Sequence, residues 1–195
     1  MLTKKKILFL TGTRADFGKL KSLISICRAN QNFEVHIFAT GMHMHYKYGY
    51  TVNEIVKSGF DNIYRYINYT SESSMDLTLA KTVEGLSSFV QEEKPDLIVV
   101  HGDRVEALAG AIVGAMNNIL VAHIEGGEVS GTIDELIRHA VSKMSHTHFV
   151  SNDLAKNRLL QMGEFSDNIH VIGSPDVDVM SVSYTHLRAH ETKAN

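Results

Sequence analysis

The chain reads as an α/β fold built on a doubly wound parallel sheet, and three observations predict it. Short apolar runs alternate with longer stretches whose apolar residues recur at helical spacing. Polar, ionisable and glycine-rich clusters stand directly after the apolar runs, where open α/β sheets carry their chemistry. Before residue 180 no internal repeat and no low-complexity linker breaks the alternation. Such alternation implies right-handed βαβ units, with helices covering the sheet.

The elements follow in order. Ile7-Leu8-Phe9-Leu10 is a buried-strand run closed by Gly12, and Leu20, Leu23, Ile24 and Cys27 then mark a helix. Val35 to Ala39 reads as a second strand, ended by Gly41, and the alternating stretch Ile63 to Tyr69 as a third. Leu79, Val83, Leu86 and Val90 trace a long helix that stops before Pro95. Leu97 to Val100 is a buried strand, Val105 to Met116 an alanine- and glycine-rich helix, and Ile119 to Ala122 another strand. Ile133, Leu136, Ile137, Ala140, Val141 and Met144 form one apolar stripe, with Thr132 and Glu135 in a capping-box pattern at its start. Strands near 148–151 and 169–172, with a helix between them, complete the set.

Composition narrows the function classes. The length of 195 residues suits one domain, and 44% apolar residues suffice for a core. A net charge of −3 supplies no basic field, so nucleic acid is not an expected partner. Lys4-Lys5-Lys6 is a short solvated run. No apolar run approaches the ~20 residues that span a bilayer, and no signal segment opens the chain, so neither a membrane nor export is expected. The single Cys27 rules out an internal disulfide and fits a reducing cytoplasm. Eleven histidines raise the question of a metal, but their spacings match no compact ligand motif and no cysteine pair supports one. No metal and no cofactor are expected.

Four strand ends carry the candidate chemistry: Gly12-Thr13-Arg14-Ala15-Asp16, Gly41-Met42-His43-Met44-His45, His101-Gly102-Asp103-Arg104, and the loop from His123 to Glu128. Because parallel strands end on one edge, these clusters converge, which says more than any one of them. Gly12-Thr13-Arg14 opens a helix whose free amides attract phosphate, and Arg14 could grip it bidentately; on this motif alone a plain strand–helix turn with a solvated arginine is the stronger reading. The segment lacks the GxGxxG dinucleotide fingerprint. Asp103 is either an acid–base group or an N-cap. Glu125, Glu128 and Asp134 crowd one loop, and carboxylates crowded in a cleft raise one another's pKa until one can move protons near neutrality. Asp134 and Arg138 stand one helical turn apart and also fit an ordinary surface pair. His101 and His123, at strand ends near acids, rank above the other histidines.

At these residues the sequence resembles the UDP-N-acetylglucosamine 2-epimerases, and more closely their hydrolysing branch. The matching segments are GTRADFGKL (12–20), HGDRVEALA (101–109), HIEGGEVSGTIDELIRHA (123–140) and GSPDVDVM (173–180). The third is long and specific. The resemblance implies a Rossmann-like domain, the N-terminal half of a two-domain glycosyltransferase-B-type fold. It also implies loss of UDP across C1–C2 of the sugar, a glycal intermediate and addition of water. By position it implies catalytic roles for Asp103, Glu125, Asp134, Glu135 and His123. It implies substrate contacts for Arg14, Arg104, His43, Gly12, Glu128, Ser130 and Arg138. The implied partner is a UDP-sugar, and a homo-oligomer is left open for the full-length protein.

That family's chains run to about twice this length, the scale of two domains. The match covers 1–180 and the C-terminal domain is expected to be missing. Residues 182–192 resemble translated read-through of a sequencing adapter, so 181–195 is expected to be a non-native tail and the chain alone inactive. Other readings stay open: a UDP- or GDP-diacetamido-trideoxy sugar as substrate, a non-hydrolysing epimerase, a glycosyltransferase that needs an acceptor, and a non-catalytic nucleotide-sugar-binding half-domain that leaves the carboxylates idle.

Overall fold

A computed structural model describes residues 3–68 and 73–177; the expected tail, 181–195, lies outside the described residues. In chain order the elements are β1 (Lys5–Thr11), α1 (Arg14–Ala29), β2 (Phe33–Ala39), α2 (Val52–Lys57), β3 (Ile63–Arg65), α3 (Met75–Glu93), β4 (Leu97–His101), α4 (Val105–Met116), β5 (Leu120–Ile124), α5 (Ile133–Lys143), β6 (Thr147–Val150), α6 (Asp153–Gln161) and β7 (Ile169–Val171). Short 3₁₀ turns lie at Gly41–Met44, Tyr46–Tyr48 and Ser166–Asn168. The strands form one seven-stranded sheet in the order β3-β2-β1-β4-β5-β6-β7. Every neighbouring pair is parallel. This is the expected doubly wound α/β sheet.

Successive residues of β1 feed opposite faces, as the period of two requires. Ile7 and Phe9 pack with Phe17, Leu20 and Ile24 of α1 and with Val52 and Ile55 of α2. Leu8 and Leu10 pack with Leu86 and Phe89 of α3, Val113 of α4 and Val141 of α5. With helices on both faces the central strands have no wet side, which is why they read as unbroken apolar runs. Helix α4 lies hard against the sheet: a Cβ on Gly110 would sit 2.5 Å from Val100 Cγ1, and one on Gly114 2.3 Å from Val121 Cγ2. That close seat fixes where the first turn of α4 stands relative to the end of β4.

After β3 the chain crosses β1 to build β4 on the other side, so the winding reverses between β1 and β4. The carboxyl ends of these two strands frame the crevice in which such sheets bind ligands. Helix α1 is aimed there by its N-cap: the Thr13 hydroxyl oxygen accepts the Asp16 amide at 3.1 Å. The capping box on α5 forms with a longer reach. Thr132 Oγ1 accepts the Asp134 amide, while Glu135 accepts the amides of Ser130 at 2.9 Å and Gly131 at 2.7 Å.

Three boundaries differ from the sequence reading. The third strand ends at Arg65; Tyr66 still donates its amide to Ala39, but its ring packs on Phe38, and residue 69 lies outside the described residues. Helix α2 was not anticipated, because six residues with two buried apolar positions, Val52 and Ile55, are too few for a periodic signal. Strand β5 runs on to Ile124, which places His123 inside the strand rather than after it.

Candidate active site

At the switch point the ends of β1, β4 and β5 and the first turns of α1 and α5 ring an open cleft of about 450 Å³. Asp16, Lys19, His101, Asp103, Arg104, Glu125 and Arg138 line it. A second hollow of about 300 Å³ shares Met42, Asp103 and Arg104 with the first and adds Glu106 and Asp134. Of the residues the sequence singled out, Asp103, Glu125, Arg104 and Arg138 line the cleft, and Asp134 lines the adjoining hollow. Cations and carboxylates alternate around the walls, an arrangement that can hold a diphosphate and still offer bases to a sugar.

Glu125 stands just past β5 with φ +59°, a left-handed conformation that non-glycine residues adopt at some cost and that clusters at functional sites. Its carboxylate takes three donors: His101 Nε2 and Lys19 Nζ, each 2.8 Å from Oε2, and Ser174 Oγ, 2.8 Å from Oε1. Burial pushes this carboxyl upward, but His101, Lys19 and Ser174 outweigh it and hold it well below the usual carboxylate range. The raised pKa expected of crowded carboxylates is not found at Glu125, because its immediate neighbours are donors and cations rather than other acids. Lys19 also meets Asp176 at 3.1 Å; burial works against its charge, and Glu125 and Asp176 more than restore it. The other ring nitrogen of His101, Nδ1, lies 3.4 Å from Asp16 Oδ1.

Asp103 is held by the Arg138 guanidinium, which reaches across from α5. Arg138 therefore pairs with Asp103 rather than with Asp134, its neighbour one turn back. Arg104 places its guanidinium on Glu106, with Nε 3.1 Å from Oε2. Glu106 is almost fully buried, wedged over two glycines: a Cβ on Gly12 would come within 2.9 Å of its Cδ, and one on Gly41 within 2.4 Å of its Oε1. Gly12 thus serves the site from beneath, by leaving room for the carboxylate that aims Arg104.

The remaining sequence candidates stand away from the cleft, each for a physical reason. His123 is fully buried on β5; its Nε2–H donates to the Gly102 carbonyl at 2.8 Å, and Nδ1 accepts from Ser142 Oγ at 3.0 Å. Burial pushes the ring down to about 3, so it is neutral and acts as a strut under the loop that carries Asp103. His43 is also fully buried, bridging Thr11 at 3.0 Å and Thr51 at 2.8 Å, and burial pushes it down to about 4. Arg14 projects to solvent and lies 3.8 Å from Glu54 of α2. The amide of Gly12 is met by Asp16, at 3.3 Å, rather than left free for a phosphate. Glu128 accepts from Asn152 at 3.0 Å, and Ser130 and Glu135 close the loop before α5 on each other. Among the described residues no group of three or more His, Cys, Asp or Glu side chains is placed to hold a metal ion.

Three residues of the two hollows carried no role of their own in the sequence reading: Asp16, named only within the first strand-end cluster, Lys19 and Glu106. The first two share a face of α1, three residues apart after a strand end, which was a usable signal. Glu106 reads as an ordinary acidic first-turn residue, and only the packing shows it buried.

Comparisons with known proteins identify the family and the fold. The sequence profile described as UDP-N-acetylglucosamine 2-epimerase matches residues 25–195. A UDP-N-acetylglucosamine 2-epimerase from Neisseria meningitidis is 49% identical over 92% of this chain and 48% of its own length. The UDP-N,N'-diacetylbacillosamine 2-epimerase (hydrolyzing) of Legionella pneumophila is 40% identical over 94% of this chain and 50% of its own length. Among solved structures, a UDP-GlcNAc 2-epimerase from Neisseria meningitidis bound to UDP-GlcNAc superposes with a TM-score of 0.86 at 23% identity, over 97% of this chain and 51% of that one, which establishes a common fold. The chain spans about half the length of the curated relatives it matches. The fold is that of the N-terminal half of these glycosyltransferase-B-like enzymes. Sequence and fold together make the chain a member of the UDP-N-acetylglucosamine 2-epimerase family.

Proposed function

We propose that this chain is the acid–base half of a two-domain hydrolysing epimerase that converts UDP-N-acetylglucosamine and water to N-acetylmannosamine and UDP. The observation that carries the reading is the convergence of Asp103, Glu125 and Asp134 with Arg104, Lys19 and Arg138 at the switch-point cleft. The chemistry needs a base for the C2 proton. As that proton leaves, its electron pair forms the C1=C2 bond and the C1–O bond breaks, releasing UDP with the bonding pair. Protonation of the glycal at C2 from the other face and addition of water at C1 complete N-acetylmannosamine. Glu125 is kept unprotonated by its three donors, which leaves it free to accept a proton while weakening it as a base. Asp103, oriented by Arg138, suits the second proton transfer. Asp134 stands in the adjoining hollow as the third carboxylate. Arg104 and Lys19 supply positive charge for the departing diphosphate. Glu135, His123 and His43 position the loops; Gly12 makes room for Glu106; Glu128, Ser130 and Arg14 stand outside the cleft lining. The single Cys27 fits a cytoplasmic protein.

The hydrolysing outcome is supported by the relative from Legionella pneumophila, whose name includes it. The same name supports a second reading, in which the sugar is a UDP-linked diacetamido-trideoxy hexose acted on by the same carboxylates. Residues 181–195 are proposed to lie outside the functional domain. The test is UDP release by the full-length parent protein offered each nucleotide sugar in turn. Release from UDP-N-acetylglucosamine with free N-acetylmannosamine supports the first reading, and release from the diacetamido sugar alone replaces it with the second. Binding of both without release would leave a nucleotide-sugar-binding domain.

A further inference from the structure

Glu125 is the most firmly held carboxylate of the cleft, and its hold runs back through His101 to α1. His101 ends β4, is buried, and cannot swing away. Its Nε2 meets Glu125 Oε2 at 2.8 Å and its Nδ1 meets Asp16 Oδ1 at 3.4 Å. An ionised carboxylate only accepts hydrogen bonds, so each ring nitrogen needs its own proton to serve its partner, and a ring with both is an imidazolium. A neutral ring could satisfy one carboxylate and would turn a lone pair on the other. Asp16 is itself anchored, its Oδ2 accepting the Gly12 amide at 3.3 Å. The charged and titratable groups around the pair are Asp16 and Lys19 from α1, the neutral His43 after β2, Arg104 after β4, the neutral His123 of β5 and Glu125 just past it, and Asp176 through Lys19. Burial opposes charge on His101, and the two carboxylates overcome it, leaving its pKa raised.

We propose that Asp16 and His101 are positioning residues for the reaction: Asp16 keeps His101 an imidazolium, and His101 holds the Glu125 carboxylate ionised and fixed against the cleft. Neither residue needs to touch the sugar. This inference rests on the epimerase reading above. It also explains why Asp16, an exposed-looking first-turn residue in the sequence, is turned inward onto a strand end.

The test uses the full-length enzyme with Asp16→Asn and His101→Gln, read by the pH dependence of kcat/KM and by the imidazole ¹⁵N shifts of His101. In the wild type His101 carries two ring protons through neutral pH. Asp16→Asn lowers the pH at which the second proton is lost. In His101→Gln, Glu125 loses its neighbouring cation at every pH, so the acid limb of kcat/KM moves to higher pH by about 1 unit or more; in Asp16→Asn the ring is still charged in acid, and it is the basic limb, set by loss of that proton, that moves to lower pH. kcat falls at least about 10-fold with KM little changed, and Asp16→Glu recovers part of the limb shift. A merely structural role would lower activity without moving the limb. An unmoved basic limb in Asp16→Asn, or a singly protonated His101 in the wild type, overturns the proposal while leaving the epimerase reading intact. A wild-type enzyme that releases no UDP from any nucleotide sugar overturns both.

Discussion

Replacing Gly41 by alanine tests the cradle that seats Glu106. Gly41 follows β2 with φ +60°, and a Cβ there would lie 2.4 Å from Glu106 Oε1 and 2.8 Å from the Gly12 carbonyl oxygen. The left-handed backbone alone costs an alanine about 1–2 kcal/mol. The clash adds to this, because Glu106 is buried and tied to Arg104 and the second obstacle is backbone; forcing such a packed site apart costs about 1–3 kcal/mol. The sum, about 2–5 kcal/mol, is a large part of the stability of an ordinary domain. Gly49→Ala is the control, for Gly49 has φ +77° with nothing within 4 Å of its Cβ, and only the backbone cost of about 1–2 kcal/mol applies. Urea unfolding of both variants gives the comparison, and the difference between them isolates the cradle. The Gly41 variant also shifts Arg104, so its affinity for a nucleotide diphosphate falls with its stability, while that of the Gly49 variant holds. Equal stability of the two variants would refute the reasoning.

Two further outcomes are expected. His43 and His123 are buried and neutral, with pKa values pushed down to about 4 and about 3. Below about pH 6.5 the unfolded chain binds protons that the folded chain refuses, so as pH falls from about 6 to about 4.5 these two histidines lower stability by about 2–2.5 kcal/mol per unit. Unfolding curves recorded across that window check the slope, and a flat profile contradicts the burial argument. Asp103→Asn and Glu125→Gln in the full-length protein each lower turnover by about 100-fold or more with the far-UV circular dichroism unchanged. A near-normal rate removes that residue from the catalytic set.

The sheet was legible because its strands are buried on both faces and its helices carry one apolar stripe, so the two periods separate cleanly. Strand ends other than that of β3, which stops four residues early, were legible to within two residues, and that small error mattered once. Running β5 on to Ile124 turned His123 from a rim residue into a buried strut. Asp103, Glu125, Asp134, Arg104 and Arg138 were legible because polar residues after parallel strands share one edge. Arg14 stands outside the cleft lining, since a helix start offers several outward directions and its guanidinium lies beside Glu54 of α2, a helix without a sequence signature. Glu106 and the Asp16–His101 pair were hidden because burial and pairing between α1, β4 and β5 are tertiary facts, and sequence spacing reports only neighbours on one element.

The central claim is that the switch-point carboxylates move a proton at C2 of a nucleotide sugar. The most direct measurement follows the full-length parent protein by NMR in heavy water with UDP-N-acetylglucosamine. The account predicts free N-acetylmannosamine carrying deuterium at C2, together with UDP. Sugar released with its C2 proton retained, or bound substrate with neither exchange nor release there and with the diacetamido sugar, would contradict it.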